Sequence, residues 1–495
     1  MNDDINFYTD EEIALPNGMV LSDNGALQYA TTGDNTLNLF ASFAAYRDKP
    51  VNQILNTFKL AFAENKTVAL RILFYFRDVR NGQKEKRIFQ TVLNWLGDNE
   101  SEWLINNFDL IPLYGYWKDM WHLHGAKSFD AVLDYINKQL TEDAQLLNDG
   151  KQPSLLAKWI PSENSNSVQY KAIYQAIMIK RYGKNISTYH RKQYRKLIVS
   201  LRNHLNIVEQ SMSAKEWNDI NYERVAAVAM RRYKDVFKRH TPYKWENYMA
   251  AVAAGTAKIN VGSLTVVDIM TDIITAKDRQ AGIAQWNAMP KQSINALAVI
   301  DVSGSMDSGS GAIPPITAAT ALGIYIAENN EADAFRNLVL LFSNRTLVIE
   351  FNESDDVYGK YSKLMKTRPV ANTNIASVFQ FILTTAIKNN VAPDKLPKSL
   401  VFVSDMQFDQ GSDNRYTNYE DWKRQFNKAG YNLPHIIYWN VSSKSVTYEV
   451  NKDTVNTVLV NGYSASILTK LMDTLTLTPL QAMVKMLSRY EHINY

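Results

Sequence analysis

Asp301-Val302-Ser303-Gly304-Ser305-Met306 closes a largely apolar run, Ile294 to Ile300, that reads as a buried strand. A strand ending there delivers one carboxylate and two hydroxyls together at its carboxyl end. Further ligands follow in order: Thr373, within Ala371-Asn372-Thr373-Asn374, and Asp405, directly after the next apolar run, Ser399-Leu400-Val401-Phe402-Val403-Ser404. All five donors are oxygens, the set a hard divalent cation such as Mg²⁺ prefers in octahedral array. With only Asp301 and Asp405 charged, a bound ion keeps net electrophilicity and can accept a carboxylate or phosphate from outside. A plainer reading has Ser303 and Ser305 capping the helix that follows.

Around these residues strands and helices alternate. Candidate strands are Ile294–Ile300, Asn337–Phe342, Thr346–Phe351, Ser399–Ser404, Pro434–Trp439 and Thr454–Val460, with helical patterns at Ile313–Glu328, Asn374–Lys388 and Tyr419–Ala429. That order predicts a mainly parallel, doubly wound sheet with ligands beyond the carboxyl ends of its strands. Asp301-Val302-Ser303-Gly304-Ser305, Thr373 and Asp405 resemble the metal-ion-dependent adhesion site (MIDAS) of a von Willebrand factor A domain. The resemblance covers 289–495 and implies a Rossmann-like fold there.

The preceding half reads differently. Val51, Ile54, Leu55, Phe58 and Phe62 recur at three-and-four spacing, as do Ala69, Ile72, Leu73 and Phe76, then Ile88, Val92, Leu93 and Leu96, then Phe129, Val132, Leu133, Ile136 and Leu140. Each is an amphipathic helix with one apolar stripe, and polar breaks such as Asn81-Gly82 and Gly97-Asp98-Asn99 separate them. Stacked antiparallel helix pairs bury every stripe; a compact irregular helical domain is the alternative. The chain therefore divides into a segment 1–35, a helical-repeat domain 36–288 and the strand-rich domain 289–495. The fold class is α plus α/β.

Composition narrows the function. A chain of 495 residues exceeds what one core usually serves, and 46% hydrophobic content is that of an ordinary globular protein. There is no cysteine, which excludes disulfides and zinc–thiolate sites and suits a reducing interior, so a cytoplasmic location is expected. Met1-Asn2-Asp3-Asp4 is acidic and no apolar core follows it, unlike a secretory signal. No apolar stretch is long enough to span a bilayer, so no membrane partner is expected. Local signatures of enzymes are missing: no phosphate-binding loop, His-Glu-x-x-His helix or Gly-x-Ser-x-Gly elbow occurs. The seven histidines form no ligand-spaced cluster, His122 and His124 included, and Asp307 and Asp409 are the only candidate bases near the cation motif. A binding protein, not an enzyme, is expected.

The net charge of +4 is small, but its distribution is uneven. No acidic residue falls between Glu163 and Glu209, where Lys171, Lys180, Arg181, Lys184, Arg191, Lys192, Arg195, Lys196 and Arg202 alternate with Tyr170, Tyr174, Tyr182, Tyr189 and Tyr194. A second cluster joins Arg231, Arg232, Lys234, Lys238, Arg239 and Lys244 to Tyr233, Tyr243 and Trp245. Cations beside rings are what a single-stranded nucleic-acid surface requires. A solvated helix face has the same look.

Arg77-Asp78-Val79-Arg80-Asn81-Gly82-Gln83-Lys84-Glu85-Lys86-Arg87, Gly115-Tyr116-Trp117-Lys118-Asp119 and Tyr194-Arg195-Lys196 through Val208-Glu209 resemble TROVE (Ro-type) RNA-binding proteins. Lys158-Trp159-Ile160-Pro161, Ser404-Asp405-Met406-Gln407-Phe408-Asp409 and Gly462-Tyr463-Ser464 bring the chain nearer still to an uncharacterised Ro-like family with phage, giant-virus and plant members. The resemblance implies a ring of HEAT-like helical repeats closed by the A-type domain, single-stranded RNA ends threading a basic hole, and structured RNA on the outer surface. Carried over by position, Lys180, Arg181, Lys184, Arg191, Lys192 and Arg195 are the RNA-contact candidates. Arg80, Lys84 and Arg87 either join them or sit on a structural turn. The segment before Thr36 resembles no family. The expected function is a monomeric Ro-like ribonucleoprotein component whose Mg²⁺ site closes the ring or recruits an acidic protein ligand. The alternative is a metal-dependent protein-interaction scaffold without RNA.

Overall fold

Polar caps and chain breaks set the helices of the first half. Asn65 accepts from the Val68 N–H to start Lys66–Arg77, Ser167 from Tyr170 to start Val168–Tyr182, and Thr265 exchanges bonds with Asp268 to start Val266–Thr275. Gly183, with φ of 81°, ends Val168–Tyr182 in a conformation that glycine adopts without penalty. The computed structural model describes residues 15–276, 278–307, 313–342, 345–368, 374–409, 416–442 and 446–495. Helices run from Asn35–Ser42 to Gln280–Asn287, and the four apolar stripes read from sequence fall in Val51–Glu64, Lys66–Arg77, Arg87–Asn99 and Phe129–Asn148.

Two short strands, β1 (Met19–Leu21) and β2 (Leu27–Tyr29), precede the helices as an antiparallel hairpin. The second half contributes β3 (Leu297–Asp301), β4 (Leu338–Phe342), β5 (Leu347–Glu350), β6 (Ser399–Ser404), β7 (His435–Asn440) and β8 (Thr457–Asn461). They form one sheet in the order β5-β4-β3-β6-β7-β8, parallel except where β5 runs against β4.

The strand starts differ from the sequence expectation for identifiable reasons. Ile294 bonds to Asn329 and Glu331 on the loop after Pro315–Glu328 instead of joining the sheet, so β3 begins at Leu297. Pro434 has no N–H to give, and β7 begins one residue later. Asn456 turns left-handed just before β8. The helix Val357–Thr367, whose apolar spacing is sparse, was not expected.

Both faces of the sheet are buried. Leu297, Val299, Leu340, Phe342, Leu400 and Phe402 pack with Phe379 and Trp422 of helices Ala376–Lys388 and Asn418–Lys428. The alternate residues Ala298, Ile300, Val339, Leu341, Val401 and Val403 face Pro315–Glu328 and join a core that continues into the helical half from Leu37 through Ile273. A smaller core, with Tyr222, Phe237, Trp245 and Met249, holds helices Ala227–His240 and Pro242–Ala253 as a separate lobe. No described helix is long and apolar enough to cross a membrane.

Candidate functional site

The pairing of β3 with β6, Ile300 opposite Val403, sends Asp301 and Asp405 out at the same edge of the sheet. Asp301 is fully buried: its Oδ1 accepts from the Ser303 N–H at 2.9 Å and its Oδ2 from the Ser404 hydroxyl at 2.6 Å. The Ser303 and Ser305 hydroxyls stand 3.0 Å apart. Asp405 is equally buried, and its Oδ1 accepts from the Gln407 N–H at 3.2 Å. Burial, and then the Asp405 carboxylate, push Asp301 up to about 7 against the donors from Ser404 and Ser303. Two buried carboxylates that repel each other beside two hydroxyls form a donor set that a hard cation relieves. Asp301, Ser303, Ser305 and Asp405 are the residues that would hold it. Thr373 lies outside the described residues. Ser303 directly precedes the short helical turn Gly304–Asp307, whereas the longer helix Pro315–Glu328 starts at Pro314 with no side-chain cap. Asp307 is engaged by the Arg368 guanidinium.

The tract between Glu163 and Glu209 is free of acids in sequence but not in space. Lys180 lies 2.8 Å from Asp130 and 3.0 Å from Asp134, both on the helix Phe129–Asn148. Arg191 and Arg195 share Glu163 at 2.5 and 3.4 Å. Arg181 turns to the Asn137 carbonyl at 3.4 Å, whereas Lys184 and Lys192 are exposed. Tyr174 and Tyr194 face inward and pack edge to face, so they offer no platform to a base. Packing one helix and a loop against the tract brings in the acids that its sequence lacks.

A different basic surface lies where the small lobe meets the main helical stack. A cavity of about 510 Å³ is lined there by Arg80, Tyr116, Lys118, Trp159, Arg232 and Tyr233, with Glu209 and Asp219 also on its wall. Through Lys158, Trp159 and Asn206 it continues into a cavity of about 820 Å³, and through Val228 and Arg232 into one of about 430 Å³. Lys118 Nζ sits over the rings of Trp159, at 4.5 Å, and Tyr116, at 5.3 Å. Burial, then Lys86, with Arg77 and Arg232, hold Lys118 below the usual lysine value, opposed by Asp119. Positive charge is concentrated at this point. Lys118, Lys158 and Arg232 fall in separate motifs and clusters of the sequence, and only packing brings them together. The signal was the lysine inside an aromatic run, Tyr116-Trp117-Lys118.

The Arg77–Arg87 stretch is mainly structural. Arg77 donates from Nε and Nη2 to the buried Asp119 at 2.9 and 2.7 Å, and Gln90 completes that carboxylate at 2.7 Å. Lys84 reaches the Leu264 carbonyl at 2.6 Å, joining early and late parts of the helical half, and burial pulls it down to about 8. Arg87 donates to the carbonyls of Arg47 and Lys49. Arg80 bonds to the Leu113 carbonyl while remaining on the cavity wall.

The fold and these sites describe a helical stack fused through a shared core to a mixed six-stranded sheet with an oxygen-rich edge. A family described as a domain of unknown function (DUF2828) matches residues 22–125 and 126–298, and the chain belongs to it. A second such family (DUF7788) matches residues 295–490. Uncharacterized protein L728 of Acanthamoeba polyphaga mimivirus is 26% identical over 515 aligned residues, covering 95% of this chain and 87% of that protein. The crystal structure of Deinococcus radiodurans RO (RSR) protein aligns over 92% of this chain and 94% of its own at 13% identity, with a TM-score of 0.38. A likeness at that score carries no argument about function.

Proposed function

We propose that this chain is a Ro-like RNA-binding protein of the TROVE type, a binding protein rather than an enzyme, acting as a cytoplasmic monomer. Its helical half takes single-stranded ends or structured small RNA. Its sheet domain, read as a von Willebrand factor A domain, holds Mg²⁺ at Asp301, Ser303, Ser305, Thr373 and Asp405 for ring closure or for an acidic protein ligand. The observation that carries the RNA reading is Lys118 over Trp159 and Tyr116, in a cavity that Arg80, Lys158 and Arg232 also line. Phosphates meet Lys118, Lys158 and Arg232 there, and an unpaired base reaches the half-buried rings of Trp159 and Tyr116 by taking the place of the Lys118 ammonium.

Fluorescence anisotropy with a labelled single-stranded RNA at increasing salt tests this. For about five phosphate contacts the log–log slope is near −3.5, and losing Lys118 and Arg232 together by reversal to Glu flattens it by about 1.4. Trp159→Ala weakens binding by about tenfold if a base stacks on the indole. Reversing Lys180 and Arg191, already paired with carboxylates, has the smaller effect. Wild-type affinity in the Lys118/Arg232 double variant rejects the groove as the RNA site. Those carboxylate pairs favour the alternative, a metal-dependent protein-interaction scaffold without RNA. It predicts that the purified protein carries no nucleic acid and that Asp301→Ala abolishes partner capture.

A further inference from the structure

We propose that the hairpin at residues 18–30 is a positioning element of the cation site, and that Gln28 determines its preference for small divalent ions. The inference rests on the reading of Asp301, Ser303, Ser305 and Asp405 as that site.

Within the loop after Asp405 the N–H groups of Met406 and Gln407 bond to Ser404 Oγ and Asp405 Oδ1, but its carbonyls bond to the hairpin. Three consecutive carbonyls, those of Met406, Gln407 and Phe408, each accept a side-chain donor from the hairpin: Gln28 Nε2 at 3.0 Å, Asn24 Nδ2 at 2.7 Å and Ser22 Oγ at 2.6 Å. The Asp23 N–H donates to Gln407 Oε1 at 2.7 Å, and Gly25 bridges antiparallel to Asp409. Met406, immediately after Asp405, is left-handed with φ of 64°. A side chain larger than glycine pays about 1 kcal/mol or more for that conformation and keeps it only where the surroundings over-determine it. Gln28 is fully buried and supplies that constraint. It is fixed in turn: Nε2 also meets Glu449 Oε1 at 3.0 Å, and Oε1 accepts from the Thr447 hydroxyl.

Mg²⁺ needs close to ideal octahedral geometry and Mn²⁺, smaller than Ca²⁺, takes the same octahedral oxygen sites, whereas Ca²⁺ accepts variable coordination. A firmly held Asp405 therefore favours the smaller ions, and a loosened one sacrifices that advantage first. Groups that orient metal ligands typically account for about 10–100-fold in affinity.

Calorimetric titration of the full chain with Mn²⁺ and with Ca²⁺ tests the inference, with thermal melting as the check on folding. Gln28→Ala weakens Mn²⁺ about tenfold while changing Ca²⁺ less, so the Mn²⁺/Ca²⁺ ratio narrows. Asn24→Ala, at an exposed position, weakens Mn²⁺ by about threefold and decides the matter if Gln28→Ala does not fold. Trp103→Phe, which removes a hydrogen bond to the Asn494 carbonyl far from the hairpin, leaves both affinities unchanged. Wild-type Mn²⁺ affinity in folded Gln28→Ala or Asn24→Ala overturns the positioning role alone. A wild-type chain that binds neither ion overturns the cation site itself, and this inference with it.

Discussion

Glu449 shows how a single buried carboxyl sets the response to pH. It is 2% exposed, and burial pushes it up to about 7 against donors from Gln28, Asn418 and the Tyr419 backbone. The unfolded chain releases that proton near the ordinary glutamate value of about 4.3. Between those values the folded state binds more protons than the unfolded one, so stability from this group falls as pH rises towards 7 and stays low above it. Glu449→Gln keeps the shape and removes the penalty. Denaturant unfolding at pH 5 and pH 8 is expected to show the variant gaining on the order of 2–3 kcal/mol over wild type at pH 8 and much less at pH 5. An equal gain at both values rejects the assignment. Residue types alone did not reveal this. The acids facing Lys180 and Arg191, like the cations around Lys118, were present in the sequence, but which charge faces which is a property of packing.

Elements were legible where periodicity was strong. The stripes at Ile54–Phe62 and Ile88–Leu96, and the apolar runs that became β3 and β6, carry their secondary structure in the spacing of their apolar residues. The hairpin of β1 and β2 was not legible, because its strands are three residues each and its bonds are to residues hundreds of positions away. One element contact makes a sharp demand. Helix Pro315–Glu328 crosses β3 so closely that a Cβ at Gly323 would lie 2.6 Å from Ile300 Cγ1, in a fully buried place. Gly323→Ala is expected to cost about 1–3 kcal/mol through overpacking despite alanine's better helix propensity. Chemical denaturation measures it, and a stabilised variant shows that the helix can shift off β3.

Across the whole molecule, the last residues of the sheet domain return to the helical half. Arg71 donates to the carbonyls of Ile493, at 3.0 Å, and Glu491, at 2.6 Å; Trp103 donates to Asn494 and Tyr490 to the buried Asp78. On the other side Gln83 Oε1 accepts from the Ser464 N–H, and Arg47 stacks over Tyr463 at 3.8 Å. With a continuous core behind these bonds, the two halves are expected to unfold as one unit. Arg71→Ala is expected to lower stability by about 1–3 kcal/mol and to raise hydrogen exchange in the tail and in Lys66–Arg77 together. Unchanged protection of the tail rejects the clasp. Two stretches that carried the family resemblance meet at such a joint, Gln83 with Ser464, and two others meet within the helical half, Arg77 with Asp119.

Residue order by itself determined the two kinds of architecture, the alternation that builds the sheet, and the delivery of Asp301, Ser303 and Ser305 at a strand's end, because these depend on local spacing. Tertiary structure decided which cations are neutralised, where an accessible basic groove forms, and that the first residues brace the loop carrying Asp405. Those properties depend on distances between residues far apart in the chain, and pairwise electrostatics and hydrogen bonding act through space, not along the sequence.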